Sequence, residues 1–117
     1  MFDSIYWKGY FRVSSPNKVD IMLCKLEKII GQNIFKGECK QYWKDSSLFE
    51  AYFKTSLEVD DIEKAVFKAL LISNLVGHDC YVTGPNSFKG GKWQFEGIIN
   101  KATLPGLEWI HFRLQNF

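Results

Sequence analysis

This chain of 117 residues is short of three things, and each shortage removes a class of function. No run of about 18 apolar residues occurs, which excludes a membrane-spanning helix. Histidine appears twice and cysteine three times, with no Cys-x-x-Cys pair, so no structural zinc spacing can be written. The formal net charge is only +2, too small for a domain that works by wrapping nucleic acid. The opening Met1-Phe2-Asp3-Ser4 lacks a basic segment followed by an apolar one, so no secretory leader is expected. Cys24, Cys39 and Cys80 are odd in number and widely spaced, which fits free thiols in a reducing cytoplasm.

What the chain has in plenty is aromatic side chains, at 16%. Its length suits one domain, 1–117, with a proper core. The longest helical pattern runs from Val59 to Gly77. Asp60 and Asp61 open it, where acidic groups suit the positive end of the helix dipole. Gly77 is expected to close it in a left-handed turn. Ile62, Ala65, Val66, Ala69, Ile72 and Val76 form one stripe at helical spacing. After Lys68 the helix is apolar nearly all round, which predicts cover on two sides: a sheet on one, a second helix along Phe67, Leu71 and Leu75.

The remaining elements follow in order. Ile5 to Val13 alternates as a half-buried strand, with Tyr6, Lys8, Tyr10 and Arg12 facing away from the core. Ser15 and Pro16 start an amphipathic helix that Gly31 ends. Ile34–Trp43 and Leu48–Leu57 read as a hairpin around Lys44-Asp45-Ser46-Ser47, residues that bond their own backbone. In its first arm Lys36, Glu38, Lys40 and Tyr42 face away from Phe35, Cys39 and Trp43. Cys80 to Thr83 reads as a short strand, and Asn86 to Gly91 as a polar loop. Lys92–Asn100 and Leu107–Gln115 form a closing hairpin that extends the sheet or wraps its edge. The sum is an α+β domain: two helices on one face of a mostly antiparallel sheet, in split β-α-β-β-α-β order, with a C-terminal hairpin.

Catalytic and ligand sets were sought class by class. His78 and Cys80 are two metal-ligand types at a helix exit, without the further pair a metal needs, so no metal is expected. A Cys–His pair could arise only in space, from His111 with Cys24, Cys39 or Cys80. Glu58, Asp60 and Asp61 sit where a helix dipole keeps them ionised, the opposite of what a general acid requires. Gly84 to Lys92 is glycine-rich, but Asn86 and Trp93 stand where a P-loop needs Gly and Ser or Thr. No enzyme activity, cofactor or small-molecule substrate is expected.

Two binding readings remain. The element order is also that of the RRM, and Lys8-Gly9-Tyr10-Phe11 shares its basic-glycine-aromatic start, which keeps single-stranded nucleic acid as the alternative. Against it, the third strand reads Leu48-Phe49-Glu50-Ala51-Tyr52-Phe53, and Glu50 would repel phosphate. The favoured reading is a protein interface. Tyr6, Tyr10, Tyr42 and Tyr52 share the face opposite the core positions, within a rim of mixed charge that includes Lys8, Lys40, Glu50 and Lys54.

In size, pattern and aromatic C-terminal hairpin (Trp93-Gln94-Phe95-Glu96-Gly97-Ile98-Ile99 with Leu107-Glu108-Trp109-Ile110-His111-Phe112) the chain resembles the small immunity proteins encoded beside bacterial polymorphic toxins, including those of contact-dependent growth inhibition. That resemblance implies a cytoplasmic, non-enzymatic inhibitor that binds one cognate toxin domain, often a nuclease. Immunity proteins against basic nucleases are often acidic, and this chain is slightly basic. A local patch is therefore the candidate surface for steering: Glu58, Asp60, Asp61 and Glu63, alongside Asp45 and Glu50.

Overall fold

The computed structural model describes all residues from Met1 to Phe117. Eight elements follow one another: β1 (Phe2–Phe11), α1 (Pro16–Ile30), β2 (Phe35–Gln41), β3 (Phe49–Val59), α2 (Ile62–Val76), β4 (Gly77–Phe88), β5 (Lys92–Ala102) and β6 (Leu107–Gln115). The fold is α+β, with two helices and a six-stranded antiparallel sheet ordered β2-β3-β1-β6-β5-β4. The first six elements keep the split order along the chain. In space, the place beside β1 that the strand after α2 would take is filled by β6. The closing hairpin thus extends the sheet from within and carries β4 to the far edge.

Period-two alternation decides which side chains enter the core. Ile5, Trp7 and Phe11 of β1 meet Ala51, Phe53 and Leu57 of β3 and Ile110, Phe112 and Leu114 of β6, all buried under the apolar stripes of the two helices. Trp7 stacks on Phe53 with ring centroids 6.1 Å apart. Its indole N–H donates to Thr55 Oγ1 at 3.0 Å, so the one polar atom of the ring is satisfied inside the core.

The helix ends follow their residues. Pro16 begins α1 after an extended Ser15, whose side chain makes no capping bond. Gly31 closes α1 in the left-handed region, and its N–H donates to the Glu27 carbonyl at 2.8 Å. Asp61 caps α2 by accepting from the Lys64 N–H at 2.8 Å. Val59 belongs to β3, so α2 begins at Ile62.

Several expectations are corrected. Gly77 does not turn left-handed; its φ is 178°, and the chain passes straight from α2 into β4. No second helix lies along Phe67, Leu71 and Leu75. Phe67 is 63% exposed, and Leu70, Leu71 and Leu75 are exposed beside it. The strand expected at Cys80–Thr83 runs from Gly77 to Phe88, through a register shift between Thr83 and Asn86, so the polar loop shrinks to three residues before Lys92. In β2 the register slips between Lys36 and Cys39. Lys36 therefore lies opposite Phe53 and pairs with Asp20 of α1, on the helix side together with Cys39.

Candidate partner-binding face

One face of the sheet carries both helices, and the other is bare. Cross-strand register arranges the bare face in three rows. The first is Lys40, Glu50, Tyr10 and Trp109. The second is Tyr52, Lys8, His111, Ile98 and Tyr81. The third is Lys54, Tyr6, Arg113, Glu96 and Thr83.

The first row is an aromatic cluster. Tyr10 stacks on Trp109 with centroids 4.5 Å apart and meets Tyr42 edge-on at 4.9 Å. Offset stacking and edge contacts are the arrangements that the ring quadrupole favours. Tyr10 is buried as a result. Glu50, expected in a polar rim, is only 5% exposed. Its carboxylate accepts from the Tyr52 hydroxyl at 2.7 Å and has Lys40 Nζ at 3.9 Å. The bond to Glu50 holds the Tyr52 hydroxyl above its ordinary pKa, so it stays a donor.

Rows two and three enclose a shallow cavity of about 500 Å³, walled by Tyr6, Tyr52, Tyr81 and Ile98 and floored by Lys8, His111 and Arg113. Lys8 Nζ lies 5.5 Å from the Tyr10 ring centroid and 5.6 Å from that of Tyr52, within cation–π range. Tyr10 and, further down, Glu50 hold its ammonium above the ordinary value. Burial, and then the charge of Lys8, push His111 below its ordinary 6.5, so the imidazole is neutral at pH 7. No ion pair engages Lys8, Lys54 or Arg113.

The ten residues singled out from sequence do not share one surface. Tyr6, Tyr10, Glu50 and Tyr52 lie on the bare face, and Tyr42 joins it through the aromatic cluster. Asp45 lies in the β2–β3 turn, at one end of the strands. It accepts from the Ser47 N–H at 3.0 Å and the Ser47 hydroxyl at 2.6 Å, which lowers its pKa. Glu58, Asp60, Asp61 and Glu63 gather at the start of α2. Glu58 is eight residues along β3 from Glu50, or about 27 Å at strand rise. Within that group Asp61 is committed to capping α2 and pairs with Lys64 at 3.7 Å.

Trp109, His111 and Arg113 were not assigned to the partner face from sequence, where His111 was weighed only as the partner of a cysteine, although all three project from β6 onto the centre of that face. Their signal was available: Trp109-x-His111-x-Arg113 alternates with Ile110-x-Phe112-x-Leu114, the period of a half-buried strand. What hid them was the position of β6, which pairs with β1 instead of lying at an edge.

The Cys–His combinations are not assembled. His111 lies on the bare face, in register with Lys8 and Ile98. Cys39 and Cys80 pack against the core on the helix side, and burial raises both thiols. Cys24 is exposed on α1. No group of three or more His, Cys, Asp or Glu residues comes together where it could hold a metal. The glycine-rich segment 84–92 spans the end of β4 and the turn into β5, with no helix N-terminus to receive a phosphate. Comparison with family models, curated proteins and solved structures finds no match for the chain.

Proposed function

We propose that this chain is a non-enzymatic binding protein that docks a protein partner on the helix-free face of its sheet, in the manner of an immunity protein neutralising one toxin domain. The observation that carries the docking reading is the face itself. Tyr6, Tyr52, Tyr81, Trp109 and Arg113 belong to the residue types that anchor interfaces; all but Trp109, which lies in the neighbouring aromatic row, line a cavity wide enough for an inserted side chain. The unpaired Lys8, Lys54 and Arg113 suit a partner that brings carboxylates to this face. The toxin reading rests on the resemblance of the C-terminal hairpin, whose β6 supplies the middle of the face. Under this proposal the acidic group at the start of α2 contributes to approach and not to the buried contact.

The test begins with tagged protein recovered from its host, with whatever co-purifies identified by mass spectrometry. The expected partner is a stoichiometric fragment of a larger protein, toxic when expressed alone. Tyr52→Ala and Arg113→Ala should each weaken that complex by roughly 30-fold or more, the level of an interface hot spot. Asp60→Asn should change the association rate far more than the dissociation rate. Full binding by the Tyr52 and Arg113 variants would refute the assignment to this face.

Single-stranded nucleic acid is the second reading, favoured by one observation: cations alternate with aromatics across rows two and three. Bases would stack on Tyr6 and Tyr52 while Lys8, Lys54 and Arg113 met phosphates. Under that reading, affinity for an oligonucleotide falls steeply with added salt. A toxin complex built on a buried aromatic contact keeps most of its affinity.

A further inference from the structure

The two edges of the sheet are built differently. β2 has only 7 residues. It carries Lys36, Glu38 and Lys40, breaks register between Lys36 and Cys39, and is tied to α1 through Lys36 and Asp20. Short length and charge, which the stretch Cys80–Phe88 of β4 lacks, are among the devices that keep an edge from pairing with another chain; β4 carries a register shift and Pro85 instead, both beyond Thr83. β4 has 12 residues. From Cys80 to Phe88 it has no charged side chain, and Tyr81-Val82-Thr83 is of the aromatic and β-branched kind that favours strand pairing. Its one interruption is the shift between Thr83 and Asn86 around Gly84-Pro85. β5 satisfies one side of β4; the other side faces no protein, and every residue from Tyr81 to Phe88 is exposed.

We infer that β4 is a homodimer interface: a second copy adds its own β4 antiparallel to the first, about a twofold axis at Val82. Three features of β4 select a second copy as the occupant. Pairing about Val82 sets Tyr81 opposite the copy's Thr83, and both belong to the bare face, so the two bare faces continue across the seam. No like charges meet, because Cys80–Asn86 carries none and Asp79 is held by Lys101 at 3.4 Å. Val82, opposite Gly97 and half-exposed on the helix side, meets its own copy and loses its contact with water. A charged strand or a nucleic acid would find no charge along this stretch to answer its own. The contact is isologous, so it closes at two copies. The inference is independent of what docks on the bare face.

The experiment is sedimentation equilibrium of the purified chain from about 1 to about 500 µM, the span that resolves a micromolar dissociation constant. The expected result is a mass rising with concentration from 13.6 kDa towards twice that value. Val82→Lys, which places a charge at the axis, should stay at 13.6 kDa throughout with an unchanged far-UV spectrum. Leu71→Lys, on the exposed face of α2, should dimerise like the parent. A monomer at every concentration overturns the proposal, as does a dimer that survives Val82→Lys. Loss of the dimer on Leu71→Lys overturns it too, by moving the interface to the helix. Should Val82→Lys fail to fold, amide exchange of the parent chain decides. Protection of Cys80–Thr83 that grows with concentration supports the seam; protection that does not change overturns it.

Discussion

Thr55 sits in the middle of the core with no exposure, a position usually held by an aliphatic residue. Its hydroxyl is there for Trp7, whose indole N–H has no other partner. Thr55→Val keeps the shape and strands that N–H, so a loss of roughly 1–3 kcal/mol is expected in urea unfolding. Adding Trp7→Phe to Thr55→Val removes the stranded donor as well, and part of the loss should return beyond what the smaller ring explains. His111 supports a second prediction at this scale. Its pKa in the folded chain lies below the ordinary 6.5, so the unfolded chain binds the proton more readily. The stabilising contribution is therefore present above about pH 6.5 and lost as the pH falls through the lower, folded value. Thermal melts between pH 7.5 and 5 should fall less for His111→Gln than for the parent. An equal fall in both would show that the loss comes from other groups.

Two glycines end the two helices for different reasons, and only one reason was legible in the sequence. Gly31 lies at φ +71° with nothing within 4 Å of where a Cβ would stand. Gly31→Ala should cost about 1 kcal/mol, the backbone penalty alone. Gly77 has an ordinary extended backbone, but a Cβ there would stand 2.3 Å from the Lys101 carbonyl oxygen and 2.8 Å from Ala102 Cα. Both neighbours are main chain in β5, so β4 must move, and Gly77→Ala should cost about 3 kcal/mol or more. Denaturant titrations of the pair separate conformation from space. A sequence marks a helix end with glycine, but the approach of β5 to that end is set by tertiary pairing. The apolar girth of α2 poses the same difficulty. Leu70, Leu71 and Leu75 beside Phe67 read as a second covered face, and the structure leaves them in water. Composition records that a face is apolar; it carries no record of what meets it.

At the scale of the whole molecule, the order of the elements and the faces of β1 and β3 were legible, while the faces of β2 and α2, the length of β4 and the strand order were not. Alternation placed Tyr6, Lys8 and Tyr10 opposite Ile5, Trp7 and Phe11, because burial imposes a period on the residues themselves. Nothing in Leu107–Gln115 names its neighbour, since an antiparallel ladder is made of backbone groups common to all strands. Yet that pairing holds the domain together. β6 lies between β1 and β5, so it is the one strand that joins the β2-β3-β1 half of the sheet to the β4–β5 hairpin, with α2 packed across both. Ile110 is fully buried on β6, in register with Gly9 of β1 and Ile99 of β5. Ile110→Ala should cost about 2–5 kcal/mol, as for other large-to-small changes in a close-packed core. The position of β6 also argues against stepwise unfolding. A hairpin that buries Phe95 and Ile99 in the common core cannot leave without opening that core. Far-UV circular dichroism and fluorescence from tryptophans in both halves should therefore follow one urea transition in the parent chain. An early step seen by only one probe, with the β4–β5 hairpin melting first, would mean that β6 is a hinge between two units and not the strand that makes them one.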